Sequence, residues 1–530
     1  VAFGEACVDR LDGMFAFAIW DRARRRLLIA RDRIGKKPLH YWHRDGLFLF
    51  ASEIKALLVH PAVNREPDLA AVQHYLAFGY TPAARSIHAG IAKLPAAHVA
   101  VVETGRLSVR RYWAPPVGEA VRPGQVSVRE APHLARGMVR EAVRSRLVSD
   151  VPLGVFLSGG IDSSAIVAAM REVTGGRIAT FSIGFPREHR SYDELPLARL
   201  VARRFETDHH EEIVEPAVAD LLPTVLHHFD EPFADSSALP TFALARATAR
   251  HVKVALSGIG GDEAFAGYPR HLGVRLSERY ARLPRAIRAV PAAAVRLLSD
   301  SDASDNWPGR LRRFVTAADR PLPERYVAWT RFFGDADLEG LATAALQRQW
   351  ATDVEAAHRD AFAGAAHGDP ADGAFRTDLA TYLPDDLLVM ADRMAMAHSL
   401  EVRAPFCDAR LIALSLAMPP AVKLRHGRLK AVLKAAFADV LPAEVLRQPK
   451  HGFMVPLGRW LRTDLRALMS DLLAPDHVRA RGLFEPAATQ ALVHEHLGGA
   501  RNHADRLWAL MMLESWMRET LDRGGDWTLS

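Results

Sequence analysis

Two cysteines, Cys7 and Cys407, stand in a chain of 530 residues, too few for a disulfide framework or a cysteine-built zinc site. No apolar run approaches the roughly 20 residues of a membrane span, and no charged, apolar, small-residue leader opens the chain. The expectation is a cytoplasmic protein with no membrane partner. Basic blocks are missing too. The net charge is +6, and the densest cluster, Arg22, Arg24, Arg25 and Arg26, falls between two apolar runs, as in a solvated hairpin turn. Without a basic stripe interleaved with aromatics, a nucleic-acid partner is not expected. The 23 histidines are scattered. The pairs His209-His210 and His227-His228 are adjacent and lack the i, i+4 spacing of a helical metal site.

What is present is ordinary globular material, 49% hydrophobic and 25% charged, long enough for two to four domains. Short apolar runs at Met14 to Trp20, Leu27 to Arg31, Leu39 to Trp42 and Leu47 to Ala51 predict a β-rich opening region of about 115 residues. Pro115 to Gly124 reads as a linker. A helix over Ala131 to Leu147 then leads into a strand over Val151 to Leu157. Strands at Ile178 to Ile183, Glu211 to Val214 and Val252 to Leu256 alternate with helices at Leu195 to Phe205 and Ala217 to Phe229. That rhythm predicts an α/β, doubly wound parallel sheet with its site at the carboxyl ends of the strands. From about residue 270 the pattern is mainly helical.

Ser158-Gly159-Gly160-Ile161-Asp162-Ser163-Ser164 occupies the turn between the first of these strands and its helix. Two glycines let the backbone approach an oxyanion, helix-start N–H groups supply donors, and three serines add hydroxyls. No Walker lysine follows. Asp162 cannot bind phosphate directly, but it can bind a magnesium ion that does. Such a loop suits cleavage between the α and β phosphates of ATP. Roughly a hundred residues later, Ser257-Gly258-Ile259-Gly260-Gly261-Asp262-Glu263 repeats the theme after Val252 to Leu256. It would bring Asp262 beside Asp162 to share magnesium. A plain glycine-rich turn with acidic residues favouring the helix dipole is the alternative.

The first loop resembles the pyrophosphate loop of the N-type ATP pyrophosphatases. Further blocks extend the resemblance: Leu11 to Phe17, Arg31 to Leu39, Ala51 to Ala56, Ser149 to Pro152, Ser257 to Tyr268, Asp392-Arg393-Met394, Ser399 to Phe406 and Arg447 to Lys450. Over nearly its whole length the chain is similar to the glutamine-hydrolysing asparagine synthetases. The resemblance implies a partial, truncated N-terminal-nucleophile (Ntn) type α+β sandwich over residues 1–115, a linker over 116–129, and an ATP pyrophosphatase domain with a helical C-terminal portion over 130–530.

Carried over residue by residue, the resemblance implies that Ser158, Gly160 and Ser164, with Gly159 and Ser163 in the same loop, hold pyrophosphate. It has Asp162 and Asp262 bind Mg2+, Leu157 and Ile183 flank adenine, and Ser257 and Gly258 touch the nucleotide. Lys450 would stabilise the departing pyrophosphate. The implied substrates are ATP, aspartate, and glutamine or ammonia; a homodimer is the family expectation. The implied reaction joins the β-carboxylate of aspartate to AMP, and ammonia then displaces AMP to give asparagine. Arg403 and Asp408 read as a buried structural ion pair, and Cys407 as space-filling.

The resemblance weakens at two places. The processed N-terminal cysteine and the segments that grip glutamine in the family do not precede Val1, and Cys7, being internal, supplies no free amine. A fragment of a longer protein is the expectation, with a synthetase fed by free ammonia as the alternative. In either case the apolar face of Met14 to Trp20 would lie bare on an unpaired sheet edge. Ile259 stands where asparagine synthetases carry a glutamate that handles ammonia. Either Glu263 or Asp230-Glu231 takes over, or the acceptor differs, as in the related β-lactam-forming enzymes. The loop Asp230 to Ser237 reads as a substrate loop.

Overall fold

The computed structural model describes residues 3–522, apart from 116–125, 187–191, 214–217, 296–297, 299, 301–305, 351–352, 366–367, 450–451 and 453–454. The Pro/Gly stretch after Pro115 therefore falls almost wholly outside the described residues.

Strands β1 (Ala16–Asp21) and β2 (Arg26–Arg31) pair antiparallel around the arginine cluster. Asp21 stops the strand: its carboxylate accepts from the N–H groups of Ala23 and Arg24 at 3.0 and 3.1 Å. Strands β3 (His40–Arg44), β4 (Leu47–Ala51), β5 (Ile91–Lys93), β6 (His98–Glu103) and β7 (Arg106–Arg111) complete two antiparallel sheets, ordered β1-β2-β6-β7 and β4-β3-β5. Ile29 and Ala100 of the first sheet meet Tyr41 and Phe48 of the second, with Leu39 just ahead of β3, in one apolar cluster, so the sheets pack face to face. β1 is an edge strand among the described residues; its Ile19 and Trp20 are 49% and 56% exposed, while Phe15, Ala16 and Phe17 pack on apolar clusters, so the expected bare face is only partly seen.

The second region holds a five-stranded parallel sheet built from β8 (Leu153–Phe156), β9 (Ala179–Gly184), β10 (Asp208–Ile213), β11 (Val254–Leu256) and β12 (Glu401–Arg403), ordered β10-β9-β8-β11-β12. Side chains alternate across it. Val155 and Leu256 join one core with the helices Ala131–Arg146 and Ile161–Val173, while Phe181 and Ala255 join another with the helices Val218–Phe229 and Ala238–Thr248. The sheet is therefore covered on both faces, as the βαβα rhythm predicts.

Two strand readings need correction. β10 begins at Asp208, three residues before the expected Glu211, because an edge strand held by backbone pairing to β9 tolerates its charged Asp-His-His opening. β12 has no apolar run to announce it, and pairing with β11 defines it. Of the histidines, His210 stacks on Phe181 at 5.1 Å and His209 bonds the Thr180 hydroxyl at 2.9 Å. His227 and His228 close the helix Val218–Phe229.

The two regions are fastened by a motif residue and by a buried tyrosine. Asp32 sits at the centre of a turn, its carboxylate accepting from the N–H groups of Ile34, Gly35, Lys36 and Lys37 at 2.9–3.1 Å. This aims Lys37 at Asp392, 2.8 Å away. Tyr75 donates to the Ala509 carbonyl at 2.8 Å, within the buried C-terminal helix Ala504–Thr520. Among the described residues, no helix is long and apolar enough to cross a membrane.

Candidate active site at the ends of strands β8 and β11

β8 and β11 are parallel neighbours in register, Leu153 opposite Val254 and Val155 opposite Leu256, so the loops that follow them emerge side by side. In the first loop Gly159 adopts φ +76°, and a Cβ there would stand 2.5–2.6 Å from the Leu197–Ala198 backbone, so only glycine makes this turn. The Ser158 N–H donates to the Ser163 hydroxyl at 3.2 Å, and that hydroxyl donates to the Gly160 carbonyl at 3.2 Å. The helix Ile161–Val173 starts immediately after, presenting its N-terminus to the loop.

The second loop interleaves with the first. A Cβ on Gly261 would come 2.6 Å from the Asp162 carboxylate, and one on Gly258 would reach the Asp162 Cβ at 3.0 Å. The two aspartates converge on Lys430. Its ammonium lies 2.7 Å from Asp262 Oδ1 and also contacts the Asp162 carboxylate. Lys430 is 3% exposed and precedes the helix Ala431–Ala436 in a left-handed conformation, φ 54°. Nothing in the spacing of the sequence signals this lysine. The turn residues His426-Gly427 ahead of the helix are its one local sign.

A cavity of about 390 Å3 opens beside these loops. Leu157, Ser158, Asp162, Ser163, Ile183, Ser257, Gly258 and Asp262 line it, with Phe181, Leu244 and Val402 as an apolar wall. An adjoining smaller cavity is lined by Ser158, Gly160, Asp162 and Lys430. Gly159 shapes the turn without lining either cavity. Ser164 is fully buried within the helix, and its hydroxyl has no hydrogen-bond partner among the described residues. Lys450 lies outside the described residues.

Ile259 lines the larger cavity and packs on the apolar cluster around Ile34 and Leu388. Glu263, 1% exposed, lines it too and accepts a hydrogen bond from the Tyr268 hydroxyl. Burial, then the neighbouring Asp262 charge, push the Glu263 carboxyl up to about 7. The loop from Asp230 divides in two. Asp230 faces Lys55 at 3.1 Å and Arg393 at 3.6 Å, and Glu231 faces Lys93 at 2.7 Å, so both fasten the loop to neighbouring elements. Asp235 and Ser237 line the cavity instead. Of the carboxylates weighed against Ile259, Glu263 reaches the cavity, whereas Asp230 and Glu231 do not line it.

The expected Arg403–Asp408 pair does not form. Arg403 bonds Glu401 at 2.6 Å and the carbonyls of Arg146 and Val148 at 2.8 Å, closing the end of the helix Ala131–Arg146. Asp408 caps the next helix and takes Arg146 at 2.9 Å and Arg410 at 3.0 Å. Cys407 fills space against Gly260, and burial pushes its thiol up to about 12. Cys7 is partly buried in the short 3-10 helix Gly4–Arg10.

Residues 134–518 match the family model described as asparagine synthase, and residues 1–113 match that of a glutamine amidotransferase domain. Among curated relatives, a proposed glutamine-hydrolysing asparagine synthetase of Mycobacterium tuberculosis is 32% identical, the alignment covering 97% of this chain and 78% of the relative. Asparagine synthetase 1 of Bacillus subtilis, also glutamine-hydrolysing, is 28% identical over 97% and 78%. An amidase of Penicillium rubens is 26% identical over 93% and 77%. With a synthase match across most of its length behind an amidotransferase match, the chain belongs to the asparagine synthase family of ATP-dependent carbon–nitrogen ligases.

Proposed function

We propose that the chain activates the β-carboxylate of aspartate with ATP, giving β-aspartyl adenylate and pyrophosphate, and that nitrogen then displaces AMP to give asparagine. The observation that carries this reading is Lys430 held between Asp162 and Asp262 where a glycine-turned, helix-capped loop meets an apolar cavity. A free carboxylate is a poor electrophile, and AMP is a good leaving group. The adenine sits between Leu157 and Ile183, Ser257 and Gly258 touch the nucleotide, and the phosphates lie along Ser158 to Ser164. The Lys430 ammonium meets the charge that grows on the departing pyrophosphate, the role the family resemblance also gives Lys450.

Two convergent carboxylates are hard oxygen donors that suit Mg2+, which takes one or two carboxylates and completes its shell with phosphate oxygens. Asp162 and Asp262 would hold it, and when bound it supplies charge neutralisation on the triphosphate. The nitrogen comes from glutamine or from free ammonia.

Ile259 favours a second reading. An isoleucine takes no proton, and with Asp235 lining the same cavity the acceptor acid becomes another amino-acid carboxylate. One assay separates the two. Pyrophosphate and AMP release is followed with ATP, Mg2+, aspartate and either ammonium or glutamine, beside an Asp162→Ala control. Asparagine formation that the control abolishes is expected. Turnover that ignores aspartate but responds to another amino acid carries the second reading, and turnover untouched by Asp162→Ala overturns both.

A further inference from the structure

Beyond the pyrophosphate loop lies a cavity of about 920 Å3 bordered by six basic side chains: Arg310, Arg425, His426, Arg428, Lys434 and Arg447. No Asp or Glu is among its described lining residues. Arg425, Arg428, Lys434 and Arg447 form no ion pair with a described carboxylate. Elsewhere in the same region Arg270, Arg275, Arg331 and Arg481 are each matched to an acid. Burial, then the nearby charges of Lys430 and Arg428, push the Lys434 ammonium down, with Asp162 opposing.

The cavity is not isolated. It shares Leu429, Lys434, Gln448 and Pro449 with the smaller cavity that Ser158, Asp162 and Lys430 line. Arg425, Arg428, Lys434 and Arg447, which pair with no described carboxylate, thus border a space that adjoins the Asp162–Lys430 contact. We propose that this basic cavity is a second binding site for inorganic pyrophosphate, distinct from the loop where the ion is formed, through which it leaves. This rests on the adenylating reading given above. ATP, anchored by its adenine between Leu157 and Ile183 in the cavity of about 390 Å3, keeps its phosphates at the loop; only the detached pyrophosphate moves on. The space exceeds the ion, which is held hydrated by charge rather than by fit, so its binding weakens with salt.

The test is calorimetric titration of inorganic pyrophosphate into the full chain, wild type and Arg425→Ala/Arg428→Ala, with ATP kinetics alongside. Both arginines lie on an exposed turn. The wild type binds two pyrophosphates, and the double variant weakens one of them about tenfold, as loss of two charge-assisted contacts implies. The KM for ATP and the single-turnover rate of AMP formation stay unchanged, and Arg425→Lys/Arg428→Lys keeps most of the affinity. A single pyrophosphate site in the wild type, unchanged affinity in the double variant, or a KM for ATP that rises in step overturns the proposal. Titration needs no turnover, so the two readings fail separately. Two pyrophosphates bound by a wild type that releases no AMP support the cavity and overturn the adenylating reading.

Discussion

Lys430 Nζ stands 2.7 Å from the Asp262 carboxylate while touching Asp162, whose position in the chain is 268 residues away. One ammonium therefore keeps two like charges side by side where both carboxylates line the cavity of about 390 Å3. Replacing it with methionine keeps the buried aliphatic stem and leaves the carboxylates to repel each other. Lys430→Met is expected to lower pyrophosphate release about 10²- to 10³-fold with an unchanged circular dichroism spectrum. Retention of more than about a tenth of the wild-type rate would make the lysine merely structural.

Gly267 is the wall behind this contact. A Cβ there would overlap both the Asp262 carboxylate and the Lys430 side chain, so Gly267→Ala must push the pair apart. Overpacking of this kind costs about 1–3 kcal/mol, and the expected signature is a larger loss in pyrophosphate release than in melting temperature. Gly175→Ala, where a Cβ meets nothing within 4 Å, is the control and should change neither.

These two cases mark how far the sequence can be read. The two loops were legible because glycine at a strand–helix turn and an acid at the helix start are local demands, written within seven residues. Their meeting was legible too, since parallel strands that neighbour each other in a sheet put their carboxyl ends together. Lys430 was not, because an isolated lysine before a short helix carries no local demand, and only the closed fold brings it to Asp162. The mistaken partner of Asp408 has the same origin. Arg403 is nearer in sequence, but β12 points it to the carbonyls of Arg146 and Val148, and the chain supplies Arg146 from 262 residues away.

That buried pair gives an acid-side prediction. Although burial pushes it up, Asp408 is held well below its ordinary value of 3.8 by Arg410 and Arg146. A depressed carboxylate stabilises the fold fully above about pH 4 and loses that contribution as pH falls below its ordinary value. Asp408→Asn should lower stability at neutral pH by about 3–5 kcal/mol, since Arg146 is left buried and unmatched. It should also flatten the acid limb of a urea-unfolding pH series below pH 4, whereas an equally steep limb in the variant would assign the acid loss elsewhere.

A second pH effect has the opposite chemical origin and a different window. His358 stacks on Phe78 at 4.2 Å with His74 at 6.1 Å, and all three are buried. Burial above all, with Arg331 adding to it and Asp378 opposing, pushes His358 down to about 4; burial and His358 push His74 down to about 3. Between these values and the ordinary 6.5 the unfolded chain binds protons that the folded chain refuses. Stability therefore falls as pH drops through that window and is level above it. For His358 alone, the spread from 6.5 to about 4 amounts to about 3 kcal/mol. His358→Phe keeps an aromatic ring on Phe78 and removes the proton acceptor, so the fall in stability between pH 6.5 and pH 4 should become shallower by about that amount. Urea midpoints measured across the window decide it. A slope as steep in the variant as in the wild type would show that the histidine is protonated in the folded protein.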